Sequence, residues 1–218
     1  MRRGPVQRAL KRVLDPVAAG VGLVVLSPLY AGLAVAVYLD SGRPVIFVSP
    51  RAGLKGRPFG MLKYRTMIPD AVTVGREQGI SADPFGIVKG DPRITSAGRW
   101  LRRTGLDELP QLVNVLRGQM SLVGPRADLV EQAAGYDERE RRRLDVRPGI
   151  TGWAQVNGRD SVSWTERFER DLWYLDNWSL WLDARILVRT VGEIFRPEPE
   201  PVEDALNIER AKKRASST

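Results

Sequence analysis

Asp107 and Glu108 stand side by side in the stretch RTGLDELPQLVNVLRGQMSLVGPR, in a chain of 218 residues that has no histidine and no cysteine. The two commonest nucleophile–base solutions are therefore unavailable. Any covalent or acid–base chemistry falls to a carboxylate, or to an unaided hydroxyl or lysine. Arg99, Arg102 and Arg103 precede the pair, and the turn Gly124-Pro125-Arg126 follows it. Carboxylates among guanidinium groups suit a metal-bound substrate that carries phosphate. The competing reading is that Asp107 merely caps the helix that follows.

The same absences restrict the metals. Without thiolate or imidazole a zinc site is excluded in practice, and disulfides are excluded outright. A metal here would be a hard, oxygen-bound ion such as Mg²⁺ or Mn²⁺. The formal charge of +8 calls for anionic partners: nucleic acid, acidic lipid or phosphorylated small molecules.

The elements that position the pair are legible in part. Leu109, Leu112, Val113 and Leu116 recur at helical spacing, so a helix starts near Asp107 and closes at Arg117-Gly118. Its positive end is expected to keep the carboxylates ionised. Ser96 to Arg103 reads as a second helix. Arg43 to Met67 holds two short β-rich pieces, Val45–Val48 and Phe59–Tyr64, split by glycine and proline, which predict a hairpin with a basic loop. Ile68 to Asp91 is polar and turn-rich, which predicts a mobile loop. Leu129 to Val146 is charged and helical. In Arg147 to Asp160, glycines stand among Arg147, Gln155, Asn157 and Arg159, a density that favours a ligand loop over a plain surface loop.

Pro16 to Leu39 is uncharged and exceeds the roughly 20 residues that cross a bilayer core. A signal peptide would want a shorter apolar core. A spanning helix and a re-entrant pair both fit. Pro28 removes a hydrogen bond and bends the run, and Ser27 can satisfy the carbonyl this frees. Both flanks are basic (Arg2, Arg3, Arg8, Lys11 and Arg12 before; Arg43, Arg51, Lys55, Arg57, Lys63 and Arg65 after), which a segment with both ends on one side would show. From Trp164 to Phe195 the chain is helical and rich in tryptophan, which fits helices at a membrane surface or aromatic core packing. Pro197 to Pro201 is a stiff linker before a charged tail.

Taken together, the Ser27-Pro28 break, KYRTM (63–67), DPRIT (91–95), LDELPQLVNVLRGQMSLVGPR (106–126) and VRPGITGWAQVNGRD (146–160) resemble the bacterial sugar transferase family, the monotopic polyprenyl-phosphate phosphoglycosyl transferases. The short branch moving a phospho-sugar of the N,N′-diacetylbacillosamine type looks closest. One departure is Ala127, where the family usually continues Gly-Pro-Arg-Pro.

The resemblance implies an α+β, mostly helical fold: a re-entrant membrane helix (1–40), a cytosolic catalytic domain with a small β-hairpin and amphipathic interfacial helices (41–196), and a linker and tail (197–218). It implies transfer of a sugar-1-phosphate from a UDP-sugar, expected to be an N-acetylated hexosamine, to polyprenyl phosphate at the cytoplasmic face of the bacterial inner membrane. UDP-glucose or UDP-galactose is the alternative donor. Asp107 would be the nucleophile, Glu108 with Asp107 would hold Mg²⁺, and Lys63, Arg65, Arg126, Arg147, Gln155, Asn157 and Arg159 would bind phosphates and substrate. The partners are then the UDP-sugar, the lipid phosphate and membrane lipid, not nucleic acid. The rival of another class is a membrane-anchored basic binding module without catalysis, which gives no reason for Asp-Glu among arginines.

Overall fold

In a computed structural model of the chain, residues 4–79, 91–158 and 163–193 are described. Helix α1 runs Pro5–Val25 and α2 runs Ser27–Ser41, broken at Leu26. Among the described residues no single helix is long and apolar enough to cross a membrane; α1 and α2 pass that test only together, and they are bent by 67°. The bend has a local cause. Pro28 has no N–H for the carbonyl of Val24, four residues back. The Ser27 hydroxyl donates to that carbonyl at 2.8 Å.

Strands β1 (Ile46–Ala52) and β2 (Pro58–Tyr64) form the expected antiparallel hairpin, with Phe47 opposite Lys63, Ser49 opposite Met61 and Arg51 opposite Phe59. Opposed residues share a face. Ser49 and Met61 are buried on that face, and Arg51 and Lys63 lie beside them. Helix α3 (Ala71–Glu77) lies within the stretch expected to be a loop; residues 80–90 of that stretch lie outside the described residues. Helix α4 (Ser96–Thr104) is capped by Thr95, whose hydroxyl accepts from the Gly98 N–H at 3.0 Å. Gly105 ends it at φ +71°, a left-handed turn that glycine adopts at no steric cost. A single 3₁₀ turn, Leu106–Glu108, follows, and then α5 (Gln111–Leu116). Asp107 thus stands in its own turn ahead of α5.

Strand β3 (Ser121–Val123) pairs in parallel with β4 (Gly149–Thr151), a pair the sequence does not disclose. Between them lie two short helices, α6 (Val130–Ala134) and α7 (Glu138–Arg141). Helices α8 (Trp164–Asn177) and α9 (Leu180–Glu193) close the described chain. The linker and tail at 197–218 lie outside the described residues.

Four apolar clusters hold these elements, one of them formed by Ala52, Ala133, Tyr136 and Phe168. Leu172, Tyr174 and Leu175 of α8, Trp178 in the turn after it, and Leu182 and Ile186 of α9 surround Val123 and Val156. Ala19 of α1 packs with Met61, Leu112, Val115 and Met120. Leu33 and Val37 of α2 pack on Tyr64 and Leu101. The aromatic residues therefore divide: Trp178 and Tyr174 are core, whereas Trp181 is 79% exposed.

Lys11 belongs by position to the basic flank, but it is buried. Its ammonium donates to Asp183 at 2.7 Å. Asp183 also accepts from the Tyr174 hydroxyl at 2.7 Å and the Trp178 indole at 3.1 Å. One turn on, Asp15 accepts from the Ser121 hydroxyl at 2.6 Å. These bonds tie α1 to β3 and α9, because a buried charge must find partners on whatever packs against it.

Candidate active site

Lys63, at the end of the hairpin's buried face, is the hinge of the site. Its ammonium donates to Glu108 Oε1 at 2.7 Å and stands 3.7 Å from Asp107 Oδ2. Arg126 shares that oxygen, Nη2 to Oε1 at 2.7 Å, and its Nη1 lies 3.4 Å from Oε2. Arg102 completes the surround, held by a 2.8 Å bond from its Nε to the Thr66 hydroxyl. All five line a cleft of about 1000 Å³, within the size range of small-molecule and cofactor sites.

The two carboxylates differ in environment. Glu108 is gripped by Lys63 and Arg126. Asp107 is only 7% exposed, yet among the described residues no group donates a hydrogen bond to it. Burial, with the neighbouring Glu108 charge, pushes the Asp107 carboxyl above the ordinary carboxylate range, against the pull of Lys63. Burial alone would raise Glu108 too. The Arg126 and Lys63 charges and their hydrogen bonds outweigh it and hold Glu108 well below that range. This corrects the expectation that a helix end keeps both ionised: α5 starts only at Gln111, and burial and named cations decide each carboxylate separately.

For a hard divalent cation the donor set is sparse but suitable. Among the described residues no group of three or more Asp, Glu, His or Cys side chains converges. The ungripped Asp107 carboxylate and Glu108 Oε2, with its long 3.4 Å contact, are two hard oxygens. Mg²⁺ is usually held by one or two carboxylates, with substrate phosphates and water supplying the rest.

The other expected residues fall into two groups. Gln155 and Arg65 line the cleft, but both serve the frame. Gln155 donates to the Ile150 carbonyl at 2.9 Å. Arg65 bonds the carbonyls of Ser41 and Gly42, stopping α2. Arg147 does not converge on the pair: its guanidinium lies against Gly118, beyond the far end of α5. Asn157 is likewise structural, its amide donating to the Trp153 carbonyl at 2.7 Å and accepting from Arg189 at 3.0 Å. Arg159 lies outside the described residues. Arg99 and Arg103 are absent from the cleft lining.

The glycines of 147–160 allow a close backbone approach to the Gly124 turn, while Ile150, Thr151, Ala154, Gln155 and Val156 of the same segment line the cleft. A Cβ on Gly149 would stand 2.1 Å from the Gly124 nitrogen, and one on Gly152 would stand 2.2 Å from the Gly124 carbonyl oxygen. The segment is the floor on which the Gly124-Pro125-Arg126 turn rests. Gly149 donates to the Pro125 carbonyl at 2.8 Å, and Arg143 to the Arg126 carbonyl at 3.2 Å. Ala127, in place of the usual proline, is buried in the core, so these bonds set the turn without it. Arg143 is itself fully engaged, with Asp128, Asp171 and Tyr136.

One cleft residue escapes the sequence reading as a site residue. Arg51 lines the cleft beside Arg126. Its signal is present: in an alternating strand it shares a face with Ser49 and, across the hairpin, with Phe59, Met61 and Lys63.

A half-buried cleft of guanidinium and ammonium groups around one ungripped carboxylate is a site built to receive phosphate. The chain belongs to the bacterial sugar transferase family, whose sequence pattern it matches over residues 6–197. It is 43% identical over 189 residues to the uncharacterized sugar transferase EpsL of Bacillus subtilis, covering 87% of this chain and 89% of that protein. It is 42% identical over 204 residues to a UDP-glucose:undecaprenyl-phosphate glucose-1-phosphate transferase of Caulobacter vibrioides, covering 88% of this chain and 73% of the relative. It is 40% identical over 197 residues to the undecaprenyl-phosphate galactose phosphotransferase of Salmonella typhimurium. There the match takes in 87% of this chain but only 41% of the relative, so the chain spans about two-fifths of that protein's length.

Proposed function

We propose that this protein transfers a sugar-1-phosphate from a UDP-sugar to undecaprenyl phosphate through a covalent intermediate on Asp107, releasing UMP. The observation that carries the reading is the Asp107 carboxylate: almost wholly buried, facing the cleft, accepting no hydrogen bond among the described residues, and flanked by Lys63 and Glu108. A carboxylate nucleophile needs no proton removed, so the absence of histidine is no handicap.

In the first step an Asp107 oxygen attacks the phosphorus that bears the sugar. The bond from that phosphorus to the bridging oxygen breaks, and the electron pair leaves with UMP. In the second, an oxygen of the lipid phosphate attacks the same phosphorus and the bond to Asp107 breaks, restoring the carboxylate. Lys63, Arg102 and Arg126 neutralise the charge of the phosphates and orient them. Glu108 holds Lys63 and Arg126 in place. With Asp107 and phosphate oxygens it would also hold Mg²⁺, which supplies further charge neutralisation when bound.

The names of the relatives weigh towards glucose or galactose as the sugar, rather than the N-acetylated hexosamine that the sequence suggests. The bent pair α1–α2 supports a re-entrant seat in the membrane, which would bring the cleft to a lipid acceptor at the cytoplasmic face. Its apolar exposure supports the same seat: Val24 is 75% exposed, and contiguous exposed apolar surface marks an interaction surface. A basic binding module without catalysis gives no account of an ungripped buried carboxylate beside a gripped one.

The test is Asp107→Asn in the membrane-embedded full chain, assayed with a panel of UDP-sugars, undecaprenyl phosphate and Mg²⁺. UMP release and the labelled covalent adduct should both vanish, with folding and membrane association retained. Turnover within tenfold of wild type would remove Asp107 from the role, and the panel ranks the sugars.

A further inference from the structure

Arg51 is a buried-face guanidinium with no ion pair within 4 Å among the described residues. Its Nε donates to the Ser49 hydroxyl at 3.1 Å, and its Nη1 reaches the Ala127 carbonyl at 3.4 Å. Three carboxylates act on it electrostatically, Asp128, Glu108 and Glu131; of these Glu108 is bonded by Lys63 and Arg126, and Asp128 by Arg143 and Tyr136. Burial and the adjacent Arg126 charge press against its protonated form and outweigh the support of those three carboxylates. Two guanidiniums side by side in a partly desolvated cleft repel unless an anion lies between them. The two bonds to Ser49 and Ala127 fix the plane of Arg51 and leave Nη2 for such an anion.

The position along the cleft says which anion. Lys63 touches both carboxylates, and Arg126 meets Lys63 on Glu108 Oε1, with a second, longer contact to Oε2. Arg51 lies on the same face of β1 as Phe47, the partner of Lys63, but four residues further on, roughly 13 Å along the strand. Asp107, Lys63, Glu108 and Arg126 therefore form one cluster, and Arg51 lies beyond it, against the Ala127 carbonyl that follows Arg126. A phosphorus attacked by Asp107 sits at the Lys63 end, and its neighbouring phosphate falls towards Arg126 and Arg51.

In-line displacement adds a constraint. The group that leaves stands opposite the nucleophile. In the second step the attacking phosphate must come from the side opposite Asp107, the place that UMP has vacated. We propose that Arg51, with Arg126, forms one phosphate subsite used twice: by the phosphate of UMP as it leaves, and by the phosphate of the lipid as it attacks. This rests on the two-step reading above and assigns to Arg51 a binding role within it.

Two measurements on the full chain in lipid nanodiscs test it. Equilibrium binding of UMP should weaken roughly tenfold to a hundredfold in Arg51→Gln, the loss of a charge-assisted bond, while uridine, which has no phosphate, binds as to wild type. Then the labelled sugar-phosphate adduct is formed on each enzyme and discharged either with UMP or with undecaprenyl phosphate. Both rates should fall by a similar factor. UMP binding equal to wild type, or slowing of only one discharge, would overturn the shared subsite. Arg51→Lys keeps charge and stem and carries the same test with a smaller drop if Arg51→Gln does not fold. Should wild type form no adduct, the two-step reading itself fails, and the UMP–uridine comparison still decides whether Arg51 binds phosphate.

Discussion

Replacing Lys63 by methionine removes the one ammonium that faces both carboxylates. Its nitrogen is 3.7 Å from Asp107 Oδ2, and the two side chains are 17% and 10% exposed. At an effective dielectric constant of about 20, unit charges at that separation attract by roughly 4–5 kcal/mol. Arg126 and Arg102 remain and water can enter, so part of that attraction is what the variant loses. The sign follows from the chemistry. Asp107 must be ionised to attack, and its carboxyl already lies above the usual range because burial outweighs Lys63. Without Lys63 it rises further, and activity is lost at a higher pH as the medium is acidified. The assay is kcat/KM for UMP release across pH. Lys63→Met should carry a pH-independent loss from the missing phosphate contact, plus an acid limb moved upward, so that the ratio of variant to wild type falls as pH falls. Lys63→Arg should keep the limb near its wild-type place. A ratio that is constant from the alkaline plateau through the acid limb would refute the coupling of Lys63 to Asp107. The limb belongs to the carboxylate pair, so the measured displacement is that of the pair.

Glu108→Gln should move the same limb the other way, to lower pH, because it deletes the like charge that helps raise Asp107; it should also lose most activity, and EDTA should inhibit wild type with recovery on Mg²⁺ addition. An unmoved limb, or activity indifferent to EDTA, counts against these roles. Ser27→Ala with Pro28→Leu restores a backbone donor and should straighten α1–α2 into a spanning helix. Cysteines at positions 4 and 41 should both be shielded from an impermeant thiol reagent in intact cells expressing the otherwise unaltered chain, whereas position 4 should label in the double variant. Lys11→Met strands Asp183 with two neutral donors and should cost about 3 kcal/mol of stability, read by denaturant titration in detergent; a change under about 0.5 kcal/mol, the range of ordinary surface substitutions, would mean that the tie between α1 and α9 is not needed.

The sequence by itself determined the nucleophile candidate, the hairpin, the bend and the turn that carries Arg126. Each is local. Pro28 withholds its own donor, Gly105 and Gly118 end their own helices, and alternation in Ile46–Ala52 needs only the strand. The missing histidine and cysteine narrowed the chemistry by composition alone. What the sequence could not rank was cations. Arg126 and Arg147 both follow a motif and both neighbour glycine and proline, yet one grips Glu108 and the other lies beyond α5. Arg51 and Arg65 are both basic residues of the hairpin region and both line the cleft, yet one has a guanidinium nitrogen to offer and the other is bonded to the end of α2. The glycines after Arg147 showed in sequence that a close approach occurs but not to what; Gly149 and Gly152 approach Gly124, brought there by the parallel pairing of β3 and β4, and their neighbours Ile150, Thr151 and Gln155 line the cleft. Side-chain charge is a property of the residue, whereas what it neutralises depends on which elements the core packs together. That packing decided why Asp107 is buried and ungripped, why Glu108 is held ionised, and why Lys11, a surface charge by composition, lies inside against Asp183.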